Sequence, residues 1–522
     1  MYCLVPFTSL LQSTERIFKS HWLRYASSCW VGQSAHEATW PTGNRSHTAS
    51  IHILDDDSLL NVFYLYRPFL LGEDQDDGAR LIGGERQWAD ERWWYNLAQV
   101  CRRWRTLILG SAPHLHLCLV CTYGTPVADM LAHSPPLPLV IDFFDGDCDL
   151  SAEDEEGIIL ALEQRDRVHR IRIQMPVSSG PNVQRLIMAF NEEYPMLEYL
   201  IMLPSTEDSS AALTLPETFQ APHLCHLALR GFVLPTGSRL LTTAAGIATL
   251  CLLIGPPSAY FQPNALLRWI SLMPQLETLF IDFLFHVPKR DVERQLVQTP
   301  IMTHVTLPNL RWFAFKGVSS YMEAIVHRIT TPRLEKLDFN FYKQLSFSVP
   351  RLLHFMHTTE NLTFDRAKFE FFSNEVHVEV YPRETETYAL SAYVPCWHLD
   401  WQVSSVAQIF NSLSQVFSTV EYLTLEHTEH NRSSEEHDEV DRTEWRKLLR
   451  SFSNVKTLRV DDGLIKGLSH SLQLEDGEAP LELLPELQEL TYSGSGNAGD
   501  VFTSFIDARQ NAGSPVALMH HR

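Results

Sequence analysis

A phrase of eight residues keeps returning along this chain, with a turn-favouring first position and apolar residues at its third, sixth and eighth places. Its clear copies are PMLEYLIM from Pro195, PHLCHLAL from Pro222, PQLETLFI from Pro274, PNLRWFAF from Pro308, PRLEKLDF from Pro332 and PELQELTY from Pro485. Weaker copies begin at Asp166, Ala245, Ser418 and Ser453, and HTTENLTF from His357 is the poorest. Successive starts fall 29, 27, 23, 29, 34, 24, 25, 61, 35 and 32 residues apart. Helix-spaced apolar residues precede several of the phrases, over Val183 to Glu193, Ala265 to Met273, Tyr321 to Ile329 and Trp445 to Phe452. Proline lacks an N–H and disfavours helix in the residue ahead of it, so it ends the incoming helix where the strand must start.

One such unit cannot bury both its strand and its helix, so neighbours must stack into a parallel sheet covered by helices. The period is close to that of a leucine-rich repeat with a helix in each unit. The predicted fold is therefore α/β: a short N-terminal helical domain, then a leucine-rich-repeat-like solenoid over 113–510, with parallel strands and helices on the outer face. Only the interval from 357 to 418 breaks the rhythm, which marks an irregular insertion over 365–417. Within it KFEFFSNEVHVEVYPRETETYAL alternates apolar and polar residues around Ser373-Asn374, the pattern of a β-hairpin.

Composition narrows the function. Of 522 residues 45% are hydrophobic and 20% charged, as in a globular protein, and Lys+Arg 42 against Asp+Glu 63 leaves 42 − 63 = −21. Such a surface repels phosphate backbones and anionic lipid, so neither nucleic acid nor membrane is an expected partner. No run of eighteen apolar residues occurs, and the N-terminus has neither a basic leader nor a clean apolar core. Nine cysteines, an odd number thinly spread, fit a reducing compartment, cytoplasmic or nuclear. Residues 1–50 lack any buried-face periodicity and read as a disordered extension; 511–522 read as a frayed tail.

Between these regions, 51–112 read as a helical domain with an inserted loop at 67–92. Leu59, Phe63 and Tyr66 recur at helical spacing behind Asp55, Asp56 and Asp57, where a helix N-terminus favours negative charge. A second helix is expected from Trp94 to Leu109, with Leu97, Val100, Cys101, Trp104, Leu107 and Ile108 on one side and Arg102, Arg103 and Arg105 facing away. LDDDSLLNVF from Leu54 and VCRRWRTL from Val100 resemble the F-box motif, which starts Leu-Pro-x-Glu-Ile-Leu-x-x-Ile-Phe and ends Cys-Arg-x-Trp. Leu54, Asp57, Leu59, Val62, Phe63, Cys101, Arg102 and Trp104 match in type and order; Asp55 and Ser58 depart from it. SAPHLHLCLVCTYGTPVADMLAHSPPLPLVIDF from Ser111 continues the resemblance to F-box-like proteins of mushroom-forming fungi, which spans most of residues 50 to 500.

The resemblance implies a non-catalytic substrate-recognition subunit of a Skp-cullin-F-box ubiquitin ligase. The F-box docks a Skp-family adaptor, and through it a cullin, while the repeats hold an unknown protein substrate. On that reading Leu54, Leu59, Leu60, Val62, Phe63, Leu97, Val100, Cys101 and Trp104 form the adaptor surface. The alternative is a repeat-based interaction module whose F-box is degenerate and has no ligase role. Substrate contacts are expected on the sheet's open face, at the seventh and ninth places of each phrase. The ninth-place series contains Arg230, Asp282, Lys316, Asn340, Glu426 and Asp461.

Enzyme chemistry finds no support: GxxxxGK[ST], HExxH and GxSxG are all missing. No catalytic residue, metal ligand or cofactor is expected. Cys118 and Cys121 form a C-x-x-C, but in a strand i and i+3 point to opposite faces, so core packing is expected of them. EHTEHNRSSEEHDEVDR from Glu426 reads as a solvated acidic insertion.

Overall fold

The computed structural model describes residues 54–67, 92–144, 150–175, 181–204, 213–235, 237–255, 259–283, 304–342, 347–383, 385–427, 442–473, 481–493 and 501–521. Among these, sixteen strands join in one sheet. In chain order they are Leu119–Cys121 (β1), Leu139–Phe143 (β2), Val168–Met175 (β3), Tyr199–Pro204 (β4), His226–Arg230 (β5), Thr249–Leu253 (β6), Thr278–Asp282 (β7) and Trp312–Gly317 (β8). Lys336–Phe341 (β9), Arg366–Phe371 (β10), Glu375–Tyr381 (β11), Leu390–Pro395 (β12), Tyr422–His427 (β13), Thr457–Val460 (β14), Glu489–Ser493 (β15) and Ala517–His521 (β16) complete it. From β1 to β9 spatial order follows chain order and every neighbour is parallel. Helices such as Ala152–Leu162, Pro263–Ile270 and Arg442–Arg450 alternate with the strands, giving the solenoid that the repeat predicts.

Ten of the eleven phrases deliver a strand of this sheet. Their third, sixth and eighth places are buried against the helices: Leu197, Leu200 and Met202 in one repeat, Leu334, Leu337 and Phe339 in another. The first-place prolines have a further role, as the second residue of a turn. The third-place N–H closes each turn on the residue before the proline, Leu224 to Ala221 at 3.1 Å, Leu276 to Met273 at 3.2 Å and Leu487 to Leu484 at 3.0 Å. The fourth-place carbonyl then accepts two N–H groups from the next repeat. Ala248 O, for example, receives Glu277 N at 2.8 Å and Thr278 N at 2.9 Å.

The copy at His357 is not a strand start. The helix Pro350–Thr358 runs through its first residues, and the true phrase lies five residues later as LTFDRAKF from Leu362. There Phe364, Ala367 and Phe369 are buried, and Arg366 pairs with Tyr422, the fifth place of the next repeat. The expected hairpin forms from β10 and β11 and is built into the sheet itself. The chain passes over two strand positions to make β10, returns antiparallel as β11, and places β12 beside β9. The spatial order is thus β9-β12-β11-β10-β13, so three strands fill the space with β11 alone reversed.

The tail does not fray: β16 pairs in parallel with β15 as the last strand of the sheet, because Val516 and Leu518 still pack on the core. The expectations for residues 1–50, for the 67–92 loop apart from Arg67 and Arg92, and for most of the 426–442 insertion lie outside the described residues. Among the described residues no helix is long and apolar enough to cross a membrane.

Candidate docking surfaces

The N-terminal unit consists of Asp56–Tyr66 (α1), Trp93–Val100 (α2) and Arg102–Gly110 (α3). Asp55, where the F-box pattern has proline, caps α1 by accepting the Ser58 N–H at 2.7 Å, so both departures from the motif make a sound first turn. This bond, with the nearby Arg103, holds the Asp55 carboxyl below its ordinary pKa. The single helix expected from Trp94 to Leu109 is broken at Cys101, whose backbone is extended and whose sulfur accepts the Trp104 N–H at 3.4 Å. Arg103 ties the unit together, bonding the Asp56 carboxylate at 2.6 Å and the Leu54 carbonyl at 2.7 Å.

The structure divides the expected adaptor residues into three sets. Leu59, Phe63 and Trp104 are buried, with the Phe63 and Trp104 rings edge to face at 4.8 Å. They belong to the same contiguous core as the repeats, so their apolar surface is consumed inside the chain and not displayed. Trp94, which donates to the Cys118 carbonyl at 3.2 Å, helps seat the unit on the first strand. Leu60, Leu97 and Cys101 are half-buried. Leu54, Val62 and Val100 are exposed, Val100 by 58%. Leu65, 70% exposed, and Tyr66 join Val62 at i, i+3 and i+4 on the outside of α1. Both lie beyond the stretch that the motif specifies, and the helical spacing that groups Tyr66 with Leu59 and Phe63 does not bury it.

The sheet's open face is the second surface. Its ninth-place residues share one level of the ladder, with Arg230, Leu253, Asp282, Lys316 and Asn340 directly adjacent in turn. Over β4 to β6 Ile201, Leu203, Ala228, Cys251 and Leu253 form an apolar cluster on this face, apart from the main core, beside the stacked rings of Tyr199 and His226 and the side chain of Arg230. Charged pairs become more frequent from β7. Asp282 is buried, paired with Lys316 at 3.4 Å and contacted by the Tyr342 hydroxyl. Arg230, Lys316, Asn340, Glu426 and Asp461 are half-buried. Asp461 accepts from the Ser493 hydroxyl at 2.8 Å, and Glu426 pairs with Lys368 at 3.0 Å. Fifth-place residues, which the sequence reading left out, also face this way. Lys336 lies over the rings of Trp312 at 4.5 Å and Tyr388 at 4.1 Å, and the Trp312 indole donates to Asp338 at 2.6 Å.

Further along, His377 on β11 stacks on Tyr393 at 3.9 Å between Glu370 and Glu379. Burial lowers its pKa against the opposing pull of the two carboxylates. Cys118 and Cys121 pack into separate clusters on opposite sides of the sheet, as the strand spacing predicts. Burial pushes the Cys121 thiol up to about 12.

No protein-family model matches the chain. No curated protein matches it either. Among solved structures it is similar to the leucine-rich repeat-containing protein LegL7 from Legionella pneumophila, at 13% identity and a TM-score of 0.23, covering 74% of this chain and 97% of that one. The repeat architecture described above stands on this chain's own ladder and core.

Proposed function

We propose that this chain is a non-catalytic substrate receptor, whose N-terminal helical unit docks a Skp-family adaptor of a cullin ubiquitin ligase and whose open sheet face holds a protein substrate. The observation that carries the reading is the outer side of α1. Val62, Leu65 and Tyr66 remain exposed although the same helix buries Leu59 and Phe63 completely. Each apolar side chain of that size contributes ~1.5–3 kcal/mol when sequestered, enough for a few to dominate an interface. The mixed charge of the open face suits a specific protein partner better than a small molecule.

The test is co-purification with the adaptor. Leu65→Asp combined with Val100→Asp is expected to abolish capture while the repeats stay folded, because both side chains point to solvent. Capture that survives this double substitution would overturn the outer side of α1 as the docking surface, and a wild-type chain that never captures the adaptor would select an interaction module without a ligase role.

A further inference from the structure

Three side chains on the reversed strand and its neighbour converge where the regular repeats are interrupted. Glu370 of β10 and His377 and Glu379 of β11 each offer one ligand atom, and these atoms lie within 4.8 Å of one another. We propose that Glu370, His377 and Glu379 bind a first-row transition dication, zinc being the reference ion, on the open face of the sheet. This inference does not rest on the adaptor reading.

One pair of donors already stands at the spacing of a loaded site. Four-coordinate zinc with ligands at ~2.0–2.1 Å places neighbouring donors roughly 3.3 Å apart. His377 Nδ1 stands 3.4 Å from Glu370 Oε2, and Glu379 supplies its ligand atom within the same 4.8 Å cluster. Every ligand is also held from behind. Glu370 turns its other oxygen to Lys368 at 2.6 Å, Glu379 turns its other oxygen to the Tyr381 hydroxyl at 2.5 Å, and His377 Nε2 meets the Ser391 hydroxyl at 3.0 Å. With Nε2 donating to Ser391, Nδ1 is left to bind the ion, the outer-sphere arrangement that fixes a ligating imidazole.

Charge points the same way. Glu370, Glu379 and Glu426 bring three negative charges against the one ammonium of Lys368, which bridges Glu370 and Glu426. That leaves about two negative charges uncompensated, which a dication neutralises. An imidazole beside two carboxylates favours zinc-like ions over calcium or magnesium, which prefer oxygen alone. Three protein ligands leave a coordination position facing outward, where water or a donor from a docked partner completes the shell.

Zinc titrated into the chelator-stripped full chain, followed by calorimetry and thermal melting, tests this. The expected result is one tight equivalent and a raised melting temperature in the wild type. Both Glu379→Gln and His377→Gln should weaken binding by on the order of 100-fold, while Ser391→Ala should cost about tenfold. Melting of each metal-free variant reports its folding, and Ser391→Ala keeps all three ligands should either ligand variant fail to fold. Cobalt is the second probe, since an oxygen–nitrogen site gives d–d bands without a thiolate charge-transfer band. The proposal is overturned by a wild type that binds no zinc, by unchanged affinity in these folded variants, or by a cobalt spectrum dominated by thiolate.

Discussion

Arg172 grips Asp142 across two adjacent strands, Nε to Oδ1 at 2.8 Å and Nη2 to Oδ2 at 3.0 Å, with the guanidinium 5.1 Å from the centre of the Phe144 ring. Both residues are buried on the sheet face that carries no helices. A buried pair is costly to break from one side, because the surviving charge keeps its desolvation penalty. Asp142→Ala is therefore expected to lose on the order of 3 kcal/mol, and Asp142→Leu combined with Arg172→Met substantially less. Urea midpoints of the two variants decide it; a double variant as unstable as the single one would show that the pair itself supplies the stability.

Glu323 replaces a missing helix cap. Val349, at the start of helix Pro350–Thr358, has no side-chain oxygen, and the Glu323 carboxylate from the neighbouring helix accepts the N–H groups of Arg351 at 2.9 Å and Leu352 at 2.8 Å. Burial nonetheless raises its pKa above the ordinary 4.5, against the pull of those two bonds and of Arg351. The folded state therefore holds this proton more tightly than the unfolded one. The resulting stabilisation is complete at acid pH and is lost as pH rises from 4.5 through the raised value. Glu323→Gln, which cannot titrate, should flatten the pH dependence of stability over that window. Superimposable profiles for variant and wild type would contradict this. Glu323→Ala removes the cap at every pH and is expected to cost about 1 kcal/mol.

Much of this architecture was legible because the repeat writes itself in one phrase. Leu197, Leu224, Leu276, Leu310 and Leu334 occupy its third place, and each is buried where the pattern puts it. What escaped had no such mark. β12 and β16 lack the phrase, and β10 carries it with Asp365-Arg366 at the centre, a copy passed over for HTTENLTF, the poorest of the series, five residues earlier. The break at Cys101 was hidden because Leu97, Val100 and Trp104 keep helical spacing across it, with neither glycine nor proline to mark it. The motif named Leu59, Phe63 and Trp104 without distinguishing a residue that holds the unit together from one that faces outward; only packing separates them. The Glu370–His377–Glu379 cluster depends on a reversed strand, and no local pattern reports which residues such a strand brings opposite one another.

Gly317 ends β8 where a side chain has no room. A Cβ there would lie 2.9 Å from ring atoms of both Phe283 and Phe315. Those rings are buried and already packed on Tyr321, so neither has a free direction in which to yield. Gly317→Ala should therefore destabilise by about 1–3 kcal/mol through overpacking. Thermal melting reads it, and an unchanged midpoint would mean that the aromatic cluster adjusts more easily than its packing implies.

The two sides of α1 make opposite predictions for stability. Phe63 is fully buried against Trp104, so Phe63→Ala removes both transfer energy and ring packing and is expected to cost about 3–5 kcal/mol. Leu65, two residues on, is 70% exposed, and Leu65→Ser should change stability by no more than ~0.5 kcal/mol. Denaturation of both variants, monitored separately at the N-terminal tryptophans and over the whole chain, tests the division. Because Phe63, Trp104 and the first strands share one core, the Phe63→Ala loss should register in the first repeats as well as in the helices. A variant that melts the helical unit alone would show that unit and solenoid are separately stable. A large loss from Leu65→Ser would mean that the outer side of α1 is already covered by the chain itself, leaving it nothing to offer a partner.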